Sequence, residues 1–299
     1  MNNADLKLLG RDHTAEESLR CITEATNLFP GRVSLDLIFG RPKQTVSAWK
    51  QELHDILQLC DNHLSLYQLT LERGTALFKM HERGDVSVPD TDSMAEMYEC
   101  AVDTLADAGL VRYEVSNFAR NGAESEHNKA YWNGSQYIGV GPGAHGRFIP
   151  QNQNNNMSCG TKIGQESRTS SNQGNLNMTS SRHREARIQT LEPNPWMLEV
   201  EKYGHGTRKR VRQSQKDVLE EILMLGMRNR HGIRDSRWRE FHGGIGLDEV
   251  FQDRQAVRSL IEQGLLEMDD VGMRSTRRGM SVLDSIVTEL LVVLNDYLE

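Results

Sequence analysis

Two short apolar segments separated by one amphipathic helix constrain the fold of this chain more than any other feature. The segments are residues 33–39 and 64–71. Between them, apolar side chains recur at helical spacing, at Val46, Trp49, Leu53, Ile56 and Cys60. Parallel strands need a long crossover connection, most often a helix, whereas antiparallel strands can be joined by a tight turn. The pattern therefore predicts a strand–helix–strand unit with two parallel strands in an α/β fold.

Capping signals indicate where further helices begin and end. Thr14 with Glu17, and likewise Ser93 with Glu96, has the spacing of a capping box. In a capping box the hydroxyl accepts a hydrogen bond from the first turn, and the glutamate accepts one from the cap residue. Each pair is therefore expected to open a helix. Gly109 is expected to end the second of these helices, because glycine readily adopts the left-handed conformation of a helix C-terminus.

The composition changes sharply after the first half of the chain. Residues 151–181 consist mainly of Asn, Gln, Ser and Gly. They cannot bury enough apolar surface to offset the loss of chain entropy, so we expect a disordered loop that includes Cys159. After residue 196 the pattern indicates helices, then a hairpin at 265–275 and a final helix from Gly279. This order predicts a small winged-helix-like domain.

Charge and hydropathy exclude several classes of partner. The 299-residue chain carries a net charge of -7, whereas nucleic-acid binding draws its affinity from Lys and Arg that neutralise phosphates. We therefore expect no nucleic-acid partner, and we interpret the basic run 207–212 as a solvated loop. Residues 238–241, the candidate recognition region of the winged domain, are expected to pack against protein instead. No apolar run is long enough to span a membrane, so an integral membrane protein is not expected.

Cysteine spacing argues against a local metal cluster. The four cysteines, Cys21, Cys60, Cys100 and Cys159, lie far apart in the sequence. Iron–sulfur clusters are usually held by closely spaced thiolates. The chain therefore lacks the usual iron–sulfur motif.

Polar residues in and after the two predicted strands are candidates for ligand binding. Asp36 lies within an apolar strand, and a buried carboxylate needs a partner. Near the carboxyl end of a parallel strand, where α/β folds bind ligands, it would accept from a ribose hydroxyl or an ammonium group. A salt bridge to Arg11 or Arg32 is an equal alternative. Thr70 and Glu72 lie at the far end of the second strand and are site candidates, and the alternative is that Gln68 and Glu72 are hydrogen-bonded turn residues.

Residues 113–146 concentrate histidines, aromatic residues and glycines. His127 and His145 are candidates for iron ligation, because a neutral imidazole can bind haem iron, and Tyr131 and Trp132 offer flat apolar faces to a porphyrin. The alternative is a structural role in which the ring N–H is donated to a backbone carbonyl. The glycines at 139–143 permit close approach of the backbone to a ligand, but they lack the lysine of a phosphate loop.

Six segments of the chain together resemble the HemW branch of the anaerobic coproporphyrinogen III oxidase-like radical SAM family. They are residues 8–11, 35–42, 66–72, 113–119, 127–132 and 139–146. The His-Asn-x-x-Tyr-Trp element at 127–132 is specific to this branch, and the resemblance covers nearly the whole chain outside the Asn/Ser-rich insert. The fold that it implies is the C-terminal remnant of a radical SAM partial (β/α)6 barrel, with a helical winged-helix-like C-terminal domain.

The resemblance implies a haem chaperone that binds haem and delivers it to acceptor haemoproteins. Full-length members also carry a [4Fe-4S] cluster with S-adenosylmethionine. Arg11 and Asp36 match positions that contact S-adenosylmethionine, and Thr70 matches one that touches it through the backbone. His127 matches the proposed ligand of the haem iron, and His145 lies in the last of the matching segments.

The cluster-binding cysteine motif of the family precedes the first residue of this chain. The resemblance therefore predicts an N-terminally truncated form with no iron–sulfur cysteines and no catalytic residues, and not an active radical enzyme as written. The expected location is mitochondrial by resemblance to the family, or cytoplasmic if the natural chain begins at Met1. Two other functions stay open, an oxygen-independent coproporphyrinogen III oxidase-like enzyme of porphyrin biosynthesis and a non-catalytic winged-helix interaction protein.

Four regions are expected from this resemblance and from the composition. They are a truncated barrel at 1–112, a family-specific site segment at 113–150, the disordered insert at 151–185 and a HemN-type helical domain at 186–299.

Overall fold

The computed structural model describes residues 2–150 and 184–299 and divides them into two compact units. One unit extends to Gly134 and resumes at Glu220–Glu299, and the other is Ser135–Leu219. The elements up to Gly134 are α1 (Asn3–Leu8), α2 (Ala15–Leu28), β1 (Ser34–Phe39), α3 (Val46–Leu57), β2 (His63–Gln68), α4 (Ala76–Glu82), α5 (Thr91–Asp107), β3 (Val111–Arg112), β4 (Asn117–Ala119) and α6 (Glu126–Trp132).

A four-stranded sheet in the order β1-β2-β4-β3 organises the first unit. β1 and β2 run parallel, with Ser34 opposite His63, whereas β4 is antiparallel to both of its neighbours. The parallel pair with α3 between its strands confirms the predicted strand–helix–strand unit. β2 ends at Gln68 and not at the predicted residue 71, because the chain then turns toward α4, with the Thr75 N–H donating to the Glu72 carbonyl at 3.2 Å.

One face of this sheet forms the core with α3 and α5. Strand side chains on this face alternate with polar ones on the other face, which is exposed at Ser34 and Asp36 of β1 but buried at His63 and Ser65 of β2. The main buried contributors are Leu35, Leu37 and Phe39 from β1, Leu64 and Leu66 from β2, Trp49, Leu53 and Ile56 from α3, and Met97, Ala101 and Leu105 from α5. The helix face predicted from spacing is thus the face that packs.

The predicted capping box at α2 is confirmed. The Glu17 N–H donates to the Thr14 hydroxyl at 3.2 Å, and the Thr14 N–H donates to the Glu17 carboxylate at 2.8 Å. Gly109, with φ of 80°, follows the end of α5 as predicted.

The capping box predicted at Ser93 and Glu96 is wrong. α5 begins at Thr91, and its cap is Asp90, whose carboxylate accepts from the Ser93 N–H at 2.7 Å. A carboxylate is a strong acceptor, and its charge is favourable at a helix N-terminus, so Asp90 caps the helix one turn earlier. Ser93 therefore lies inside the helix.

The second unit contains a three-stranded antiparallel sheet. Its elements are β5 (His145–Phe148), β6 (Glu185–Gln189), α7 (Pro193–Tyr203) and β7 (Thr207–Arg212), with β6 in the middle of the sheet. The solvated loop predicted at 207–212 is wrong, because this run forms β7, paired with β6. Its charged side chains are exposed, an arrangement that edge strands tolerate. Residues 151–183 of the predicted disordered insert, with Cys159, lie outside the described residues, whereas Glu185, its predicted last residue, belongs to β6.

The C-terminal elements form a winged-helix-like arrangement. They are α8 (Gln215–Gly226), β8 (Ile233–Arg234), α9 (Asp235–Phe241), a π-helical turn (Asp248–Gln252), α10 (Gln255–Glu262), β9 (Leu266–Met268), β10 (Gly272–Ser275), a 3₁₀ turn (Gly279–Val282) and α11 (Leu283–Leu298). β9 and β10 form the predicted hairpin. Trp238 in α9 is fully buried. Among the described helices, none combines the length and the apolar character needed to cross a membrane.

Candidate functional site

α6 carries the histidine and both aromatic residues of the His-Asn-x-x-Tyr-Trp element. The hydroxyl of Ser125 caps this helix by accepting from the Asn128 N–H at 3.3 Å. His127 and Tyr131 lie one turn apart, with ring centroids at 4.6 Å and planes at 75°. His127 is exposed, and its only polar contact with a described residue is a long one, 3.5 Å from Nδ1 to the Asn128 Oδ1. Its Nε2 is therefore open to a ligand.

Trp132 fixes α6 to the segment that follows α8. The guanidinium carbon of Arg228 lies 5.2 Å from the centroid of the indole ring, a cation–π contact. The indole nitrogen is buried and has no hydrogen-bond partner within the described residues. One face of Trp132 is thus occupied by Arg228, whereas the ring of Tyr131 contacts His127.

A chain of polar contacts joins the start of α6 to the sheet. The Ser34 hydroxyl lies 2.7 Å from Nδ1 of His63, and Nε2 of His63 lies 2.9 Å from the Tyr113 hydroxyl. That hydroxyl accepts from the Ser125 N–H at 3.3 Å and from the Asn128 side chain at 3.4 Å. His63 and Tyr113 therefore hold the first turn of α6 against the sheet.

His63 is expected to make the fold sensitive to acid. Burial lowers the pKa of His63 below its ordinary value of 6.5, and the negative charge of Asp36 opposes this shift. Because the folded pKa is lowered, the unfolded chain takes up a proton at higher pH than the folded chain, and acid favours unfolding. We expect the free energy of unfolding to decrease as the pH falls below about 6.5.

Urea denaturation at about pH 7.5 and about pH 5.5 measures this effect. The difference in stability between the two values should be smaller for His63→Gln than for the wild-type chain. His54→Gln, which changes an exposed histidine of α3, should keep the wild-type difference. Equal pH dependence in all three proteins would remove His63 as a source of acid sensitivity.

The turn that joins β3 and β4 satisfies its own buried polar groups. Glu114 is 1% exposed, and its carboxylate accepts from the Asn117 side chain and from the Ser116 N–H. The side-chain amide oxygen Oδ1 of Asn117 accepts in turn from the Ser65 hydroxyl at 2.8 Å. Burial raises the pKa of Glu114, against the opposing effect of these hydrogen bonds and of the positive charge of Arg228. The motif at 113–119 is thus a rigid support for the polar face of the sheet.

These polar residues line a cleft near the amino ends of β1 and β2. The cleft has a volume of about 380 Å³ and is lined by residues that include Arg32, Ser34, His63, Ser65, Tyr67, Asn117, Ser125 and Asn128. The lining consists mostly of hydroxyl, amide and imidazole groups. Residues from β1, β2, β4 and the start of α6 therefore meet at one surface of the first unit.

Thr70 lies at a separate cavity beyond the carboxyl end of β2. This cavity of about 760 Å³ is lined by residues of α1 and α4, the segment 8–10, Thr70 and Glu72. The Thr70 hydroxyl donates to the Glu72 carboxylate at 3.3 Å, so part of the polar surface is already paired. The structure thus brings together two of the sequence segments for which S-adenosylmethionine contacts were expected.

Asp36 and Arg11 are not among the lining residues of either cavity. The prediction that Asp36 is buried is wrong, because it is exposed on the face of β1 opposite the core, together with Ser34. Among the described ion pairs, none joins Asp36 to Arg11 or Arg32, and both arginines are exposed. Asp36 acts instead through its charge on His63.

His145 begins β5 in the second unit and is exposed. The nearby glycines serve a close approach of two backbone segments. A Cβ atom on Gly139 would lie 2.0 Å from the carbonyl oxygen of His145. Tyr137 and Arg147 exchange backbone hydrogen bonds of 2.7 Å and 2.9 Å across this contact. At Gly139 the close approach is therefore between two segments of the backbone, and not between the backbone and a ligand as predicted.

The described cysteines do not fit an iron–sulfur cluster. Cys21 is exposed, and Cys60 and Cys100 are half-buried free thiols. Burial raises the pKa of Cys60 to about 11, which disfavours the thiolate that binds a metal. Within residues 2–150 and 184–299, no three His, Cys, Asp or Glu side chains are grouped as metal ligands. We therefore derive no chemical step from a cluster.

Sequence reasoning missed the contact chain through His63 and Tyr113 as a feature of the site. One signal was present, since Ser34, Asp36, His63 and Ser65 recur at every second position of β1 and β2. That period marks a polar second face. The partner Tyr113 is 50 residues away from His63 in the sequence, so their contact has no local signature.

The fold and the domain order define a class, that of α/β proteins with a radical SAM-type sheet and a HemN-type C-terminal domain. The family model described as HemN C-terminal domain matches residues 213–282. The structure of coproporphyrinogen III oxidase (HemN) from Escherichia coli, described as a radical SAM enzyme, aligns with a TM-score of 0.68 at 15% identity, covering 99% of this chain and 62% of that one. At this identity the likeness concerns the fold alone.

Sequence relatives of the chain bear two names within this class. Radical S-adenosyl methionine domain-containing protein 1, mitochondrial, of Mus musculus is 47% identical over 99% of this chain and 61% of its own length. Heme chaperone HemW of Bacillus subtilis is 27% identical over 92% of this chain and 62% of its own length. The chain is similar to proteins of the HemW-like family over nearly its whole length, and it spans about three fifths of the length of these relatives.

Proposed function

We propose that this chain binds haem through His127 and acts as a haem chaperone that passes haem to haemoproteins. One observation carries the proposal. An exposed imidazole, with Nε2 free of described hydrogen bonds, is displayed on a helix that is itself fixed to the sheet. A neutral imidazole of this kind can donate its lone pair to haem iron.

The surroundings of His127 suit a carrier better than a haem enzyme. Tyr131 contacts the imidazole edge-on and presents an aromatic surface to a porphyrin, whereas His127 itself stays exposed. A ligand bound at the surface is accessible to an acceptor protein, and the fixed helix lowers the entropy lost on binding. These properties favour reversible binding and transfer.

The relatives support the same proposal. One of them bears the name heme chaperone, and the animal relatives are named mitochondrial. We infer that haem and acceptor haemoproteins are the partners, and that the protein acts in mitochondria. We infer that Thr70 and the segment 8–10, which line one cavity, would contact S-adenosylmethionine in a chain that binds it.

Titration of the purified chain with haemin tests the role of His127. We expect His127→Ala to weaken haem binding by at least about tenfold, which corresponds to 1.4 kcal/mol, and to change the Soret absorption because the axial ligand is lost. His54→Ala removes another exposed helical histidine and should bind haem as the wild-type chain does. His145→Ala tests the second histidine predicted from the sequence and should also leave the spectrum unchanged.

Two results would contradict the proposal. A wild-type chain that shows no saturable Soret change with haemin would remove haem binding altogether. A His127→Ala variant with the wild-type spectrum and affinity would remove His127 as the ligand.

A further inference from the structure

The segment 228–234 between α8 and β8 lies against the residues that support α6. The Arg230 N–H donates to the carbonyl of Tyr113 at 2.9 Å, and Asn229 forms an isolated β-bridge with Glu114. Tyr113 in turn contacts the first turn of α6 through its hydroxyl. The backbone of this segment is therefore held at a fixed place relative to the helix that carries His127.

The arginines of this segment differ in what they contact. Arg228 is engaged by the Trp132 ring and by the charge of the buried Glu114. Arg230 and Arg234 are exposed, and neither has an ion pair with a carboxylate in the described part of the chain. The only side-chain hydrogen bond of Arg230 there is to Nε2 of His231, at 3.3 Å. Within the described residues, two guanidinium groups thus lack a counter-charge in a chain of net charge -7.

The arginines that follow in α9 differ from Arg230 and Arg234 because they have acidic partners. Arg237 is paired with Glu240 at 2.5 Å, and Arg239 is paired with Asp235 at 2.5 Å. Arg237 and Arg239 therefore have acidic partners, whereas Arg230 and Arg234 have none among the described residues.

Most of the charged side chains that act on His231 are positive. Burial lowers its pKa, and the positive charges of Arg230 and Arg234 lower it further. Lys129 of α6 acts in the same direction, and Glu124 opposes it. Glu124 lies 3.9 Å from the amino group of Lys129, so its charge is partly matched. Lys129 is also paired with Glu126 at 2.6 Å, so among the described residues the unpaired positive charge next to α6 is that of the segment 228–234.

We propose that Arg230 and Arg234 form a carboxylate-binding site for the acidic side groups of the porphyrin whose iron His127 binds. This inference rests on the proposed function. A single iron–imidazole bond leaves the macrocycle free to rotate about that bond. Guanidinium groups bind carboxylates through two parallel hydrogen bonds, so contacts to the propionate groups would fix the orientation of the ring.

Haemin and haemin dimethyl ester, in which the propionates are esterified, separate this contact from iron ligation. We expect the wild-type chain to bind haemin about tenfold more tightly than the ester. The double variant Arg230→Gln/Arg234→Gln should bind both ligands with the affinity that the wild-type chain has for the ester. Its Soret maximum with haemin should match that of the wild-type complex, because His127 is retained.

A charge-matched control excludes a general effect of net charge. The double variant Arg258→Gln/Arg277→Gln removes two exposed arginines that are already paired, with Asp253 and Asp103. It should keep the preference for haemin over the ester. Arg230→Lys/Arg234→Lys keeps the charge without the planar fork, and we expect it to retain only part of the preference.

The outcomes distinguish the two proposals. If the wild-type chain binds haemin through His127 but does not prefer it to the ester, the carboxylate site is wrong and the proposed function stands. An equal preference for haemin over the ester in the wild-type chain and in Arg230→Gln/Arg234→Gln would also show that the carboxylate site is wrong. If the wild-type chain shows no His127-dependent haemin binding, both proposals fail. If the double variant folds poorly, the comparison of haemin with its ester on the wild-type chain still tests the carboxylate site, because no preference for haemin would overturn it.

Discussion

Trp49→Ala is expected to lower the free energy of unfolding by about 3–5 kcal/mol, because it removes the largest side chain at the centre of the core. Trp49 is fully buried between the sheet and α5. Its ring stacks on Phe39, with centroids 5.9 Å apart, and its indole N–H donates to the Met97 carbonyl at 3.0 Å. The alanine variant leaves a cavity and also removes the hydrogen bond from the indole to the Met97 carbonyl, and each of these costs stability.

Urea denaturation followed by far-ultraviolet circular dichroism measures the change, since this signal does not depend on tryptophan emission. Phe29→Ala is the matched control, because Phe29 is an aromatic residue that is 56% exposed. We expect its effect to be smaller than about 1 kcal/mol. Similar losses for the two variants would contradict the assignment of Trp49 to the core.

The covered face of the sheet could be predicted because it follows from local periodicity. Trp49, Leu53 and Ile56 recur at helical spacing, and the strands on either side are apolar enough to be recognised without tertiary information. Asp36 was placed wrongly by the same reasoning. Its position within an apolar strand predicts a buried carboxylate, whereas β1 alternates between the core and an exposed polar face. Ser34 and Asp36 alternate with Leu35 and Leu37, and this alternation indicated that one face of β1 is polar.

Local motifs fail where a neighbouring residue competes for the same role. Ser93 and Glu96 have capping-box spacing, but Asp90 stands one turn earlier and caps α5. The contacts of α6 are a different case, because they depend on chain folding over long separations. Tyr113 reaches α6 through its side chain and Arg230 through its backbone. No spacing rule links Tyr113 to Arg230, so this part of the candidate site required the structure.

Gly139→Ala is expected to disrupt the sheet of the second unit, with a loss of at least about 3 kcal/mol in local stability. The new Cβ atom would lie 2.0 Å from the carbonyl oxygen of His145 and 2.6 Å from its carbonyl carbon. Both atoms belong to the backbone at the start of β5, so they cannot move away as the end of a side chain can. The strand would have to shift, and the backbone hydrogen bonds between Tyr137 and Arg147 would be lost.

Gly141→Ala separates this backbone collision from a general intolerance of the glycine-rich segment. Gly141 has φ of 109° with open space around its Cβ position, so alanine there meets conformational strain only, at about 1–2 kcal/mol. Amide hydrogen exchange read by mass spectrometry over β5, β6 and β7 resolves the local effect. Protection should be lost in Gly139→Ala and largely kept in Gly141→Ala. Equal protection in the two variants would mean that the approach of Gly139 to His145 does not hold this sheet together, and the glycines would then have to be explained by another contact.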